Sequence, residues 1–219
     1  MSTRVRGAYA TAVPTRVAAL LSLALVWALP AWAEGETTDL PGGPPKREGI
    51  FAVGPEVGLV IPLSTDRLCP EGSQCIVDLG MAVEVGFSYR WKNGLGLGFG
   101  YEFWLMSANG VYETTVVQSF LVDLQYSFLP DRVTHPLIRL RGGPSLLGPS
   151  FRVATVGGMA EIGAGAEVEL DSDIAFSFLV TGNLLRTGSF VTPADDVLRA
   201  SSVALDAMLV LRVGFNFYL

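Results

Sequence analysis

VALDAMLVLRVGFNFYL, residues 203–219, decides how this chain folds. Every second residue in it is apolar: Val203, Leu205, Ala207, Leu209, Leu211, Val213, Phe215, Phe217 and Leu219. The interleaved residues Ala204, Asp206, Met208, Val210, Arg212, Gly214, Asn216 and Tyr218 are mixed and carry both signs of charge. A period of two means an extended strand, because successive side chains leave it on opposite faces. Strands of soluble sheets usually end after about five or six residues. A strand of at least roughly nine to eleven residues with a wholly apolar face fits lipid on one side and a polar lumen on the other.

The same alternation begins at Ile50 and recurs along the chain. Phe51, Val53, Pro55, Val57, Leu59 and Ile61 oppose Ala52, Gly54, Glu56, Gly58 and Val60. Residues 79–91 and 95–105 follow the rule on either side of Lys92-Asn93-Gly94, a strong hairpin signal. Residues 119–128, 160–170 and 174–183 repeat it. A further segment, 136–147, sets Ile138 and Leu140 against Arg139 and Arg141, and Gly142-Gly143-Pro144 is expected to break it soon after. With 203–219 these make eight strands.

Their connections alternate in length. Residues 92–94, 130–135 and 171–173 are short turns; 63–77, 107–115, 148–157 and 186–201 are longer. Membrane barrels have short turns at the periplasmic end and longer loops outside. Eight strands bring both ends of the chain to the short-turn side, and closure satisfies every backbone donor and acceptor in lipid. The expected fold is all-β: an eight-stranded antiparallel up-and-down transmembrane β-barrel over residues 50–219.

Charge placement tests that expectation independently. Faces assigned by apolarity turn Glu56, Glu84, Glu102, Asp123, Glu161, Glu167, Glu169 and Asp206 inward, together with Arg90, Arg139, Arg141 and Arg212. No charged residue falls on the apolar face of the strand cores. A soluble sandwich or barrel has the reverse polarity, apolar inside and polar outside. Opposite charges on facing walls are expected to pair and fill a lumen barely wider than its side chains. The rival reading is a thin, cation-preferring water path lined by Glu56, Glu84, Glu102 and Asp123.

Half of the 219 residues are hydrophobic and 16% are charged, yet no apolar run is long enough for a membrane-spanning helix. The longest, 17–29, follows Arg4, Arg6 and Arg16 and precedes Ala31-Trp32-Ala33. A basic region, a short apolar core and a small-x-small site make residues 1–33 a cleavable signal peptide. Residues 34–49, rich in proline and glycine, read as a flexible periplasmic lead-in. Without the leader the chain keeps 12 basic and 21 acidic residues, net −9, which argues against nucleic acid as a partner.

The ending from Arg212 through Gly214 and Phe217 to Leu219 resembles the assembly signal of bacterial outer-membrane barrels, with Leu219 where that family most often has Phe. Leader, strand count, loop alternation and this signal together resemble the small outer-membrane barrels of the OmpA/OmpX type. The resemblance implies a Gram-negative outer-membrane location, contact with outer-membrane lipid and insertion by the barrel-assembly machinery. It implies no one activity, since such barrels serve as anchors, adhesins, narrow pores and lipid enzymes.

Few residues suggest chemistry. Cys69 and Cys75, six apart in the first long loop of an exported chain, are expected to form a disulfide. Alternate glycines at 94–100 lack the spacing and the following helix of a nucleotide loop, and are expected to line the lumen wall. The single histidine, His135, falls in a short turn and reads as structural. Proteases and lipid A deacylases of the resembled class need a histidine near the outer rim. The expectation is therefore no enzyme, no cofactor and no metal, with any activity in the outer loops.

Overall fold

The computed structural model describes residues 49–108, 110–130 and 132–219. The expected leader, 1–33, and the lead-in up to residue 48 lie outside the described residues. Ten strands follow in chain order: β1 (Gly49–Ser64), β2 (Gly80–Trp91), β3 (Leu95–Ser107), β4 (Thr114–Ser127), β5 (Thr134–Pro149), β6 (Thr155–Glu169), β7 (Ile174–Thr187), β8 (Phe190–Thr192), β9 (Val197–Arg199) and β10 (Asp206–Tyr218). Eight of them close one antiparallel barrel, each strand beside its chain neighbour, with β10 bridging β7 and β1. Closure runs in continuous register from Val53↔Phe217 through Val57↔Val213 to Ile61↔Leu209 along most of β1. β8 and β9 pair only with each other, as a small hairpin inside the loop between β7 and β10.

The barrel is inside out relative to a soluble protein. Phe99 on the outer wall is 63% exposed and Val122 61%, whereas Trp104 and Arg212 in the lumen are 0% and 1%. Alternation explains this directly, because one pleat face meets the surroundings and the other meets the opposite wall. The short-turn end carries an outward aromatic girdle. Tyr89 packs against Phe51 and Trp91, Tyr126 against Phe128, and Phe176 against Phe215. Such side chains suit a boundary between hydrocarbon and water, where ring and polar tip are both satisfied.

Several boundaries differ from the sequence expectation: β10 begins at Asp206 and not at Val203, while β4 and β6 begin five residues earlier than expected, at Thr114 and Thr155. β5 runs straight through Gly142-Gly143-Pro144 to Pro149. Gly143 permits this by close approach: a Cβ there would lie 1.9 Å from the Phe120 carbonyl oxygen. The β4–β5 turn ends before Thr134, so His135 stands on a strand and not in the turn. β7 continues to Thr187 and carries Arg186, expected in the following loop, onto the outward face. The β8–β9 hairpin falls in what the sequence marks only as a long loop, with Pro193 to Asp196 turning between two three-residue strands.

The last strand holds both edges of the closure. Phe217 stands opposite Val53 on one side and Ile174 on the other, the Leu219 amide donates to the Phe51 carbonyl at 2.9 Å, and the Tyr218 hydroxyl donates to Glu167 Oε1 at 2.6 Å. Deleting Phe217, Tyr218 and Leu219 should leave protease-sensitive protein with no heat-modifiable band on gels. A normal heat-modifiable band after the deletion would remove these residues from assembly.

Candidate functional site

The lumen concentrates the polar chemistry of the chain, and its residues follow from strand register. Glu56, Glu84 and Glu102 stand directly opposite one another on β1, β2 and β3. Like charges in such a row repel, so they require cations from elsewhere. Arg139 and Arg141 project from β5 across the lumen, and Arg212 from β10 beside β1. Glycines leave room for these long side chains: a Cβ at Gly100 would come within 2.9 Å of Glu84 Oε1.

In the middle layer Arg139 grips Glu56 with two bonds, Nη1–Oε1 2.8 Å and Nη2–Oε2 2.7 Å. Arg141 donates to Glu161 from Nε at 2.8 Å and from Nη2 at 2.9 Å, and also donates to Glu84. Arg212 reaches three carboxylates: Glu84 at 3.0 Å, Glu102 at 2.5 Å and Glu161 at 2.6 Å. The Trp104 indole donates to Glu102 at 2.6 Å. Paired, planar guanidinium contacts of this kind are among the strongest that a dry interior offers.

Nearer the short-turn end a second layer centres on Glu167. Arg90 donates to both its oxygens at 2.6 and 3.1 Å, and Asn216 donates at 2.5 Å. His135 Nε2 lies 2.7 Å from Glu167 Oε1 and Nδ1 lies 3.2 Å from the Arg132 carbonyl. Both ring nitrogens are thus engaged at the end opposite the long loops. Between the two layers lies a cavity of about 20 Å³ bordered by Glu56, Glu84, Asp123 and Arg139. That is room for about one water.

The long-loop half of the lumen is filled mainly by apolar side chains. Val60, Ala82, Trp104, Met106, Leu121 and Met208 form a core there, joined by Leu68 and Ile76 from the β1–β2 loop. Two arginines fix loops over it. Arg67 donates to the carbonyls of Ser202, Thr187 and Ala200 at 3.0–3.1 Å and pairs with Asp206 at 3.3 Å. Arg199, fully buried, donates to the Leu68 carbonyl at 2.6 Å and pairs with Asp195 at 2.6 Å. The Thr192 hydroxyl, then the Val197 amide and then Arg199, hold the Asp195 carboxyl below its ordinary range. Cys69 and Cys75 are disulfide-bonded beside this cap.

The expected inward charges therefore divide. Glu56, Glu84, Glu102, Glu161, Arg139, Arg141 and Arg212 form the middle cluster, while Glu167 and Arg90 form the second layer. Arg139, Arg141 and Arg212 draw on the row of Glu56, Glu84 and Glu102, and Arg141 and Arg212 also on Glu161 of β6, which stands directly opposite Arg141 in register. Asp123 stands opposite Arg141 in register, yet its Oδ1 has no hydrogen-bond partner. Asp206 leaves the network for the rim, where it meets Arg67, and Glu169 is only half-buried at the end of β6. The loop arginines were not legible as cap residues, because no period marks a side chain that folds inward from a loop. Arg67 and Arg199 are simply two charges in polar stretches.

No family model matches the sequence, and no curated protein does. Among solved structures, Neisserial surface protein A is similar over 76% of this chain and 96% of its own, with 13% identity and a TM-score of 0.56. The outer membrane protein OprG from Pseudomonas aeruginosa (79% and 97% coverage, 15% identity, TM-score 0.48) and the outer membrane enzyme PagL (76% and 98%, 14%, 0.43) are also similar.

Arg212 touches more carboxylates than any of its neighbours' pairings can replace. Arg212→Ala should strand Glu102, whose remaining guanidinium contact, Arg141, is 4.0 Å away. Breaking a buried pair costs roughly 3–5 kcal/mol, and thermal unfolding in detergent should register the loss. An unchanged unfolding temperature would show that the cluster is not what holds the lumen together. By its strand order, inward charges and outward apolar wall, the chain has the fold of the small eight-stranded outer-membrane β-barrels.

Proposed function

We propose that the protein is an integral outer-membrane barrel with a lumen closed to ions, whose loops between β1 and β2, β3 and β4, β5 and β6, and β7 and β10 face the exterior as a structural or interaction surface. One observation carries this reading: the lumen is filled twice over, by a guanidinium–carboxylate cluster across its middle and by a capped apolar core above. Either layer alone obstructs hydrated ions. An apolar plug offers them no ligands, and the cluster already uses its charges on itself.

A non-enzymatic role accords with the position of His135. Its nitrogens are bonded to Glu167 and the Arg132 carbonyl, at the short-turn end. The outer-membrane location accords with an outward wall that exposes Phe51, Phe99, Val122 and Ile162, each above half. Burial of such a surface in lipid removes it from water, while the lumen keeps every strand charge except Arg186 away from hydrocarbon. The segment from Arg212 to Leu219 is then read by the barrel-assembly machinery during insertion.

Single-channel recording in planar bilayers tests the closed lumen. The wild type should show no steady conductance, and Arg212→Ala should open occasional ion flow. Steady, cation-preferring conductance by the wild type would overturn the plug and favour a path along Glu56, Glu84, Glu102 and Asp123. Orientation has a separate test. After reduction of intact cells, a membrane-impermeant maleimide should label Cys69 and Cys75. Labelling only after the outer membrane is opened would invert the topology.

A further inference from the structure

Along β7 the outward side chains are Ile174, Phe176, Phe178, Val180, Gly182 and Leu184, and then Arg186. Arg186 is exposed, and among the described residues its guanidinium has no hydrogen-bond or ion-pair partner. Arg186 stands twelve residues beyond Ile174. At about 3.3 Å per residue and a tilt of roughly 40°, that is a height of about 30 Å, at the far edge of an apolar band about 25 Å tall. The charge thus sits where hydrocarbon gives way to headgroups, on the long-loop side.

The wall is also open beside it. β10 accompanies β7 only as far as Asp206↔Leu185, whereas β6 stays with β7 to Gly157↔Thr187. Before Asp206 the chain stands away from the wall, and the parting leaves a groove of about 650 Å³. Ala160, Leu184 and Leu205 line the part nearer the membrane centre; Arg186, Ser189 and Ser202 line the part nearer the rim. Gly158 forms the floor without a side chain. Val203, at 83% exposure, and Leu205, at 46%, add apolar surface that nothing in the described chain covers.

We infer that this lateral groove holds one phosphorylated, acylated lipid of the surrounding leaflet, with its phosphate on Arg186 and an acyl chain along Gly158, Ala160 and Leu184. The inference rests on the membrane reading above and on two complementary features. A guanidinium without an acid is matched by phosphate, which accepts paired N–H bonds in the same plane. A free anion would leave the apolar end of the groove unexplained, and a neutral lipid would leave the charge unmatched. The volume is that of a site for a single ligand molecule, within the roughly 300–1,000 Å³ of such pockets.

The test uses the full-length protein in detergent, with lipid A, a phosphorylated and acylated disaccharide, as probe and native mass spectrometry as readout. Dephosphorylated lipid A and inorganic phosphate are the comparison ligands. Arg186→Gln removes the charge, and Gly158→Leu fills the floor; a Cβ at Gly158 meets nothing closer than the Gly143 carbonyl oxygen at 3.5 Å. Both positions face outward, and heat-modifiability verifies that each variant is folded. One lipid A should bind per wild-type barrel, about tenfold more weakly to Arg186→Gln, as expected for loss of a charge-assisted hydrogen bond. Dephosphorylated lipid A should be weakened by a similar factor on the wild type but bind both the wild type and Arg186→Gln alike. Gly158→Leu should weaken both lipids. Wild-type binding that ignores the phosphates, or unchanged binding by both variants, overturns the assignment. Displacement of lipid A by inorganic phosphate would make the site one for a free anion and overturn it equally. None of these outcomes bears on the closed lumen, which conductance tests separately.

Discussion

Four arginines enclosed in a narrow cylinder must each find a carboxylate, and most of the interior follows from that requirement. An ion stripped of water without a partner is very costly, and a barrel whose cavity among these charges is about 20 Å³ has little space for water to compensate. The row formed by Glu56, Glu84 and Glu102 is unstable by itself, and of the facing guanidiniums only Arg141 has a carboxylate, Glu161, directly beside it on the next strand. Each set becomes acceptable only when the sheet closes and brings the other across the lumen. Closure, required by the backbone in lipid, and charge pairing, required by the side chains, are satisfied in one step.

Above that cluster the problem changes from charge to shape. The β1–β2 loop and the β8–β9 hairpin place Leu68 and Phe190 in the apolar core, while Arg67 and Arg199 donate to main-chain carbonyls that would otherwise be buried without partners. These arginines act as backbone caps more than as members of ion pairs. The ordered base of the loops is thereby continuous with the barrel, and a partner that binds there meets a shaped surface. The two fillings are chemically unlike and share a boundary at Trp104, whose ring lies in the core while its indole nitrogen donates to Glu102.

The architecture was legible because lipid imposes a period. A strand with hydrocarbon on one side has no freedom to interrupt its apolar face, so 203–219 announces itself and the other strands follow. Inward direction was legible for Arg212 and Glu84 for the same reason. Partner choice was not: period gives a side chain its face but not its height relative to strands several positions away, and Arg141 meets Glu84 only through the stagger of the closed sheet. Proline and glycine misled at Gly142-Gly143-Pro144, where they act as a close-packed wall and not as a break. Arg186 was hidden by a boundary, since one further turn of alternation moves it from loop to outer wall.

The lumen charges also bear on how the strands find one another. A slip of one residue between neighbouring strands would turn apolar side chains inward, and lipid forbids it. A slip of two residues keeps every apolar side chain outward, and the lipid-facing wall cannot detect it. The row Glu56, Glu84 and Glu102 can: displaced by one pleat, a glutamate loses its guanidinium and faces glycine or an apolar ring. The buried ions therefore serve as the alignment marks of a sheet whose exterior is nearly indifferent to its own register.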